Sequence, residues 1–178
     1  AVKRRGFLAA AVALAAAGTR AGAASGGEAA AAGPGAAAIS LVSAPQLRDL
    51  LDAERGKLVV LNLWATWCVP CLREIPDLVR IEQELAPRGV TLIGVAMDEP
   101  GELATRVVPF HEKYFPAFRS YLRSEIELDA IASVVDPAWN EVLPTTYLLG
   151  RDGKVIRRIQ GARTLEQFRE LITAALDA

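Results

Sequence analysis

The fold of this chain is decided by a short stretch that reads Trp64-Ala65-Thr66-Trp67-Cys68-Val69-Pro70-Cys71. It contains the only two cysteines among 178 residues, and two residues separate them. An apolar run precedes the stretch and a run with helical periodicity follows it, so we expect the thiols at a strand-to-helix turn. A lone C-x-x-C pair at such a turn is typical of a redox centre. The stretch therefore predicts thiol–disulfide exchange chemistry.

Length and composition narrow the class of protein. A chain of 178 residues that is 52% hydrophobic can form one domain with a substantial core. Its formal net charge of -1 does not favour nucleic-acid binding. Two cysteines and one histidine are too few for a four-ligand zinc site, and Leu72 stands where a haem-attachment motif needs histidine. We therefore expect no metal and no cofactor beyond a redox-active Cys68–Cys71 disulfide.

The N-terminal region has the pattern of an export signal, predicted over residues 1–23. A basic segment, Lys3-Arg4-Arg5, precedes an apolar run of about a dozen residues, fewer than the roughly 20 that span a bilayer. The run Arg4-Arg5-Gly6-Phe7-Leu8 resembles the twin-arginine motif, and an ordinary Sec signal is the alternative. Residues 24–38 are mostly Ala and Gly and predict a flexible linker. The pattern predicts a periplasmic protein, soluble after cleavage of the signal or membrane-tethered if it is uncleaved.

A strand, a helix and a second strand are predicted around the C-x-x-C stretch. The near-continuous apolar run Leu58–Trp64 is typical of a strand buried on both faces. A helix from about 70 to 86 follows, with Pro76 expected to kink it. Gly89 ends this helix and the apolar run Val90–Ala96 predicts the next strand. This order is that of a βαβ unit with parallel strands.

The remaining elements are predicted from caps, turns and apolar stripes. Ser43 caps a helix that ends at Gly56, and Thr164 with Gln167 forms a capping box before a terminal helix. Asp152-Gly153 predicts a hairpin turn. The other predicted elements are a short strand at 39–41, a helix at 102–114 interrupted at Pro109, a strand at 118–122, a helix at 125–134 with Ile126, Ile131 and Val134 apolar, and strands at 145–149 and 154–159.

Residues 60–76 resemble the active site of the thioredoxin superfamily, and more narrowly that of TlpA/ResA-like exported thiol–disulfide oxidoreductases. The shared pattern is W-x-x-W-C-x-P-C followed by x-x-Glu-x-Pro, together with Leu143-Pro144-Thr145-Thr146 and Gly161. The resemblance implies a thioredoxin-like α/β fold over residues 39–178, with a central mixed β-sheet flanked by helices. It also implies an extra α/β insertion at roughly 98–135.

The two cysteines are expected to have different roles. Cys68 should lie at the first position of the helix, where unpaired N–H groups and the helix dipole stabilise a thiolate, which makes Cys68 the attacking nucleophile. Cys71, one turn further in, is the resolving thiol. The resemblance implies that Glu74 acts on the pair, in place of an aspartate at the position of Asn62; a solvated helix residue is the alternative for Glu74.

A substrate-binding surface is implied by the same resemblance. Pro144 is expected to form a cis peptide bond facing the disulfide, with the backbone of Leu143 pairing with an extended substrate segment. Trp67 is expected to flank the disulfide as an apolar contact. The full set of expected substrate-binding residues is Trp67, Pro70, Leu143, Pro144 and Thr145.

The direction of the reaction is predicted from Val69-Pro70, which offers neither a charge nor a side-chain donor to stabilise the thiolate strongly. We therefore expect a reductant of protein disulfides. The resemblance implies substrates such as apocytochrome c or its maturation factors, and a membrane thiol electron donor. A thiol oxidase or isomerase, a copper chaperone with a third ligand, and a peroxidase are the alternatives.

Several side chains outside these motifs are expected to have no chemical role. His111, Lys113, Arg119 and Arg123 are read as solvated residues of the insertion. Trp139 is read as a core residue, with a contribution to partner choice as the alternative, and Trp64 as either a core residue or part of the site.

Overall fold

A computed structural model describes residues 38–178. The export signal predicted at 1–23, and the predicted linker apart from Ala38, lie outside the described residues. Within 38–178 no helix is both long enough and apolar enough to cross a membrane.

The described region is one six-stranded mixed sheet with helices on both faces, as the sequence predicts. The strands are β1 (Ser40–Val42), β2 (Leu58–Trp64), β3 (Val90–Ala96), β4 (Ser120–Arg123), β5 (Thr145–Leu149) and β6 (Val155–Gln160), and the helices are α1 (Ala44–Ala53), α2 (Val69–Leu85), α3 (Val108–Tyr114), α4 (Leu128–Ala132) and α5 (Leu165–Leu176). The sheet order is β1-β4-β3-β2-β5-β6. The first four strands in this order run parallel, whereas β5 is antiparallel to both β2 and β6.

The central strand β2 is buried at every position, and its side chains alternate between two cores. Val60 and Trp64 face the core formed with α2 and α5, whereas Leu61 and Leu63 face the core formed with α1 and α4. A strand covered on both faces must be apolar on both, which explains why its sequence is nearly continuous in hydrophobic residues. Packing on both faces holds the end of β2 in place, and the C-x-x-C turn follows directly from that end.

The predicted starts of α1 and α5 are confirmed by their capping contacts. Ser43 and Gln46 form a capping box at the start of α1, and Thr164 and Gln167 form another at the start of α5. The caps depend on residues close in sequence, which is why the pattern alone locates them.

The predicted ends of two helices lie beyond the observed ones. Helix α1 ends at Ala53 rather than at Gly56. Helix α2 ends at Leu85, and a 3₁₀ turn (Ala86–Arg88) follows it. Gly89 ends this turn with a φ of 88°, a left-handed conformation that costs glycine little, and it lies directly before β3.

The insertion is less regular than predicted. In place of one helix at 102–114, a 3₁₀ turn (Pro100–Glu102) and a π-helical turn (Leu103–Val107) lead into α3, with Pro109 in its first turn. Helix α4 has only five residues, shorter than the helix predicted at 125–134, and Ile126 precedes it and is 74% exposed. Leu41, in the edge strand β1, is likewise exposed.

Two residues of the insertion read as solvated are buried. His111 is enclosed, with its Nε2 2.6 Å from the carbonyl oxygen of Phe118. Arg123 has no exposed surface, because backbone carbonyls of the folded insertion accept its hydrogen bonds. Arg119 is half-buried and pairs with Glu54, whereas Lys113 is exposed as predicted.

Candidate active site

The first cysteine lies where β2 gives way to α2. Cys68 is the N-cap residue of α2, one position before the predicted one, and its Sγ accepts a hydrogen bond from the backbone N–H of Cys71 at 3.3 Å. The first turn of a helix has N–H groups without intrahelical partners and the positive end of the dipole. Negative charge on the Cys68 sulfur is therefore stabilised by the backbone itself.

Cys68 and Cys71 are joined by a disulfide, with their Cα atoms 5.3 Å apart. Their exposures differ: Cys68 is 5% exposed and Cys71 is completely buried. Of the two cysteines, only Cys68 has any surface that another molecule could reach.

Glu74 is buried one turn beyond Cys71, with 2% of its surface exposed, so the alternative reading of a solvated residue is wrong. Burial raises the pKa of Glu74 from its usual value near 4.5 to about 7. The amide of Asn62 and the backbone and charge of Arg163 lower this pKa only in part. Glu74 can therefore hold or release a proton near neutral pH beside the buried thiol.

A buried polar group connects Glu74 to the sheet. Asn62 donates through Nδ2 to Glu74 Oε1 and to Thr146 Oγ1, both at 2.9 Å. The other oxygens, Asn62 Oδ1 and Glu74 Oε2, have no hydrogen-bond partner among residues 38–178. Buried acceptors normally find a donor, so this site is poised to receive a proton.

The Leu143–Pro144 peptide bond is cis, as expected. Because Thr145 pairs with Leu63 near the end of β2, this loop lies at the same end of the sheet as the C-x-x-C turn. Gly161 N–H donates to the Pro144 carbonyl at 2.9 Å, which ties the loop before α5 to the cis peptide. The structure thus brings Leu143 and Pro144 to the end of the sheet that carries Cys68.

Thr145 differs from the other expected substrate-binding residues. Its side chain is fully buried, donating to the Val142 carbonyl at 2.6 Å and accepting from Trp139 Nε1 at 3.3 Å. A substrate could not reach this side chain, so its placement corrects the expectation: Thr145 supports the loop from within. Trp139 is a core residue, as predicted, and so is Trp64.

Apolar side chains next to the cysteines and next to Leu143 are exposed. Trp67 is 60% exposed and Pro70 is exposed, as expected for residues that contact a partner. Val69 and Val142 are also exposed and were not predicted as part of this surface. The sequence could have indicated both residues, because Val69 lies between the two cysteines and Val142 directly precedes Leu143.

Sequence reasoning also missed Asp98. Asp98 is 1% exposed and accepts hydrogen bonds from the backbone N–H and the hydroxyl of Thr66, two residues before Cys68. Within residues 38–178, no three His, Cys, Asp or Glu side chains are grouped so that they could hold a metal ion.

Solved structures with the same architecture identify the class of fold. A thiol:disulfide interchange protein of the thioredoxin family from Chlorobium tepidum superposes with a TM-score of 0.58 at 24% identity, over 70% of this chain and 83% of that one. StoA from Bacillus subtilis gives a TM-score of 0.52 at 23% identity, over 65% and 82%. The fold is therefore thioredoxin-like, as predicted. Residues 41–158 match the AhpC/TSA family, and the chain belongs to that family.

Sequence relatives agree with the predicted resemblance. The thiol-disulfide oxidoreductase ResA of Halalkalibacterium halodurans is 34% identical over 130 residues, which are 71% of this chain and 66% of that protein. The ResA of Bacillus thuringiensis subsp. konkukian is 31% identical over 118 residues, 66% of this chain and 63% of that protein. The match thus spans somewhat less than two thirds of these relatives.

Proposed function

We propose that this chain is a thiol–disulfide oxidoreductase that reduces disulfides of other proteins through Cys68 and Cys71. The observation that carries the proposal is the disulfide at the start of α2, in which only Cys68 retains exposed surface and Cys71 is followed one turn later by the buried Glu74. The relatives that bear the name thiol-disulfide oxidoreductase support the same chemistry.

The reaction starts from the dithiol. The Cys68 thiolate attacks a substrate disulfide, forming a mixed disulfide and releasing one substrate thiolate. Cys71 then gives up its proton and attacks the Cys68 sulfur, which releases the second substrate thiolate. Two electrons pass to the substrate, and the pair becomes the disulfide. Glu74, with a pKa near 7, is the group suited to accept the Cys71 proton.

The direction is tested by the reduction potential of the pair. We expect a value near that of thioredoxin, about -270 mV, because Val69 and Pro70 add no charge or side-chain donor to the thiolate. Equilibration with a dithiol buffer of known potential gives the value directly. A potential near that of DsbA, about -120 mV, would instead assign the chain as an oxidase.

The proposal extends to the location of the protein and to its partners. We propose a periplasmic protein, soluble after cleavage of its signal or membrane-tethered if it is uncleaved, on the basis of the basic and apolar pattern of residues 1–23. A membrane thiol donor would re-reduce Cys68–Cys71. Apocytochrome c or its maturation factors are the proposed substrates, supported by the resemblance alone.

Trapping in cells tests both the activity and the partners. A Cys71→Ala variant retains the attacking thiol and cannot resolve, so it should accumulate mixed disulfides that dithiothreitol releases. A Cys68→Ala variant is the matched control and should capture nothing. Capture by neither variant, or equal capture by both, would contradict the proposed mechanism. Consumption of a hydroperoxide by the wild-type protein would favour a peroxidase instead.

A further inference from the structure

The acidic turn Met97–Glu99, which follows β3, holds the segment that precedes the nucleophile. The Met97 N–H donates to the Trp64 carbonyl at 2.7 Å, which extends the pairing of β2 and β3 by one residue. Asp98 then accepts the Thr66 N–H at 3.0 Å and the Thr66 hydroxyl. Two residues of extended chain span at most about 7 Å, so Asp98 anchors the backbone within that distance of Cys68 along the chain.

Arg123, at the end of β4, donates hydrogen bonds to the acidic turn. Its Nε donates to the Met97 carbonyl at 3.1 Å and its Nη2 to Glu99 Oε1 at 2.9 Å. Nη1 donates to the carbonyls of Glu125 and Ile126. A guanidinium with no exposed surface needs this many acceptors, and it contacts the residues on both sides of Asp98.

We propose that Arg123 is a positioning residue for Cys68: it fixes the acidic turn so that Asp98 anchors Thr66, and it adds a positive charge to a turn that carries the carboxylates of Asp98 and Glu99. The insertion that carries Arg123 is thereby coupled to the nucleophile. The inference deepens the proposed function, since it takes Cys68 as the attacking thiol.

The charged groups around the cysteine pair come from several elements. Glu74 and the exposed Arg73 belong to α2, Asp98 follows β3, Arg123 ends β4, and Arg163 precedes α5. A negative charge disfavours a nearby thiolate and a positive charge favours it. Removal of Asp98 and removal of Arg123 should therefore move the pKa of the Cys68 thiol in opposite directions.

The experiment titrates the Cys68 thiolate by its ultraviolet absorbance in a Cys71→Ala background, where Cys68 is the only thiol. Arg123→Met should raise the pKa of Cys68 by about 0.5 to 1, less than the effect of a charge in direct contact. Asp98→Asn keeps an acceptor for Thr66 and should lower this pKa by a similar amount. Loss of stability by itself would not produce opposite shifts.

Arg119→Met is the matched control. Arg119 lies on the same insertion but pairs with Glu54 at 2.6 Å, so its removal should leave the pKa of Cys68 unchanged. If Arg123→Met does not fold, Arg123→Lys replaces it and should give a smaller rise, because an ammonium cannot reach all of these acceptors.

Three results would overturn the proposal: shifts of the same sign in the Arg123 and Asp98 variants, a pKa unchanged in the Arg123 variant, or an equal shift in Arg119→Met. The titration uses no substrate, so its result does not depend on the proposed reductase activity. Failure of that activity would be seen in the trapping experiment instead.

Discussion

Two buried glutamates, Glu54 and Glu74, have pKa values shifted in opposite directions. Burial raises the pKa of Glu54, but hydrogen bonds and charges from Lys57 and Arg119 more than offset it and hold this pKa below its usual value. Burial also raises the pKa of Glu74, and here it prevails: the amide of Asn62 and the backbone and charge of Arg163 lower the pKa only in part, and it stands at about 7. The pKa of a buried carboxyl group therefore depends on how far its partners offset the cost of burial.

The difference separates an ion-paired carboxylate from one that suits the proton transfer of the proposed mechanism. Glu54 stays ionised in an ion pair at the end of α1, where Lys57 and Arg119 hold it. The pKa of Glu74, about 7, lies in the physiological range, and Glu74 lies one turn beyond Cys71, the proposed resolving thiol. The contrast makes Glu54 the natural control for every experiment on Glu74.

Stability against pH should give the largest effect. The pKa of Glu74 is raised on folding, so its protonated form favours the folded state, and that stability is lost as the pH rises from about 4.5 through about 7. Each pKa unit is worth about 1.36 kcal/mol, so Glu74→Gln should be more stable than wild type at pH 8 by up to about 3 kcal/mol. Urea unfolding of the oxidised protein measures the difference, which should vanish near pH 4.5.

Glu54→Gln should show the reverse sign. The pKa of Glu54 is depressed on folding, so its stabilisation is present at neutral pH and is lost as the pH falls through the folded-state pKa. The variant should be less stable than wild type at pH 7, by about 1 kcal/mol. If Glu54→Gln and Glu74→Gln changed the free energy of unfolding in the same direction, the contrast between the two glutamates would be contradicted.

Asn62→Asp should give the next largest effect, because it replaces the neutral donor with a second carboxylate. The atoms at these positions lie 2.9 Å apart, so the two carboxyl groups would share a proton and the higher pKa of the pair would rise by about 1 to 2. Carbon-13 NMR of labelled carboxyl groups reads the titration. A pair that titrates fully below pH 6 would contradict the assigned geometry.

Thr145→Val should give a small effect that leaves the proton chemistry untouched. The substitution removes the hydroxyl that links Trp139 to the Val142 carbonyl, at a cost of about 1 kcal/mol in the free energy of unfolding. The pH profile of thiol exchange should stay that of wild type. A displaced profile would place Thr145 in the proton pathway.

Much of the fold follows from residues close together in sequence. Ser43 and Gln46, Gly89, and Thr164 with Gln167 each set a helix end through contacts within a few residues. The apolar run of β2 shows burial on both faces by its composition. The position of Cys68 follows in turn, because the strand and the helix that flank it are both predictable.

The errors concern side chains whose partners are distant in sequence or lie in the irregular insertion. The buried state of Arg123 depends on the Met97 carbonyl, and that of Glu74 on Asn62 and the strands beneath it. Helical spacing places Glu74 near Cys71, yet it does not show whether water reaches the carboxyl group. The pKa of about 7 depends on burial by the assembled sheet, so the sequence alone does not predict it.

The central claim is that Glu74 accepts the proton of Cys71 during disulfide exchange. The pH profile of disulfide reduction tests this claim most directly. The wild-type rate should show a step near pH 7, and Glu74→Gln should remove that step and lower the rate above it by about tenfold or more, while Glu54→Gln keeps it. An unchanged profile in Glu74→Gln would contradict the claim.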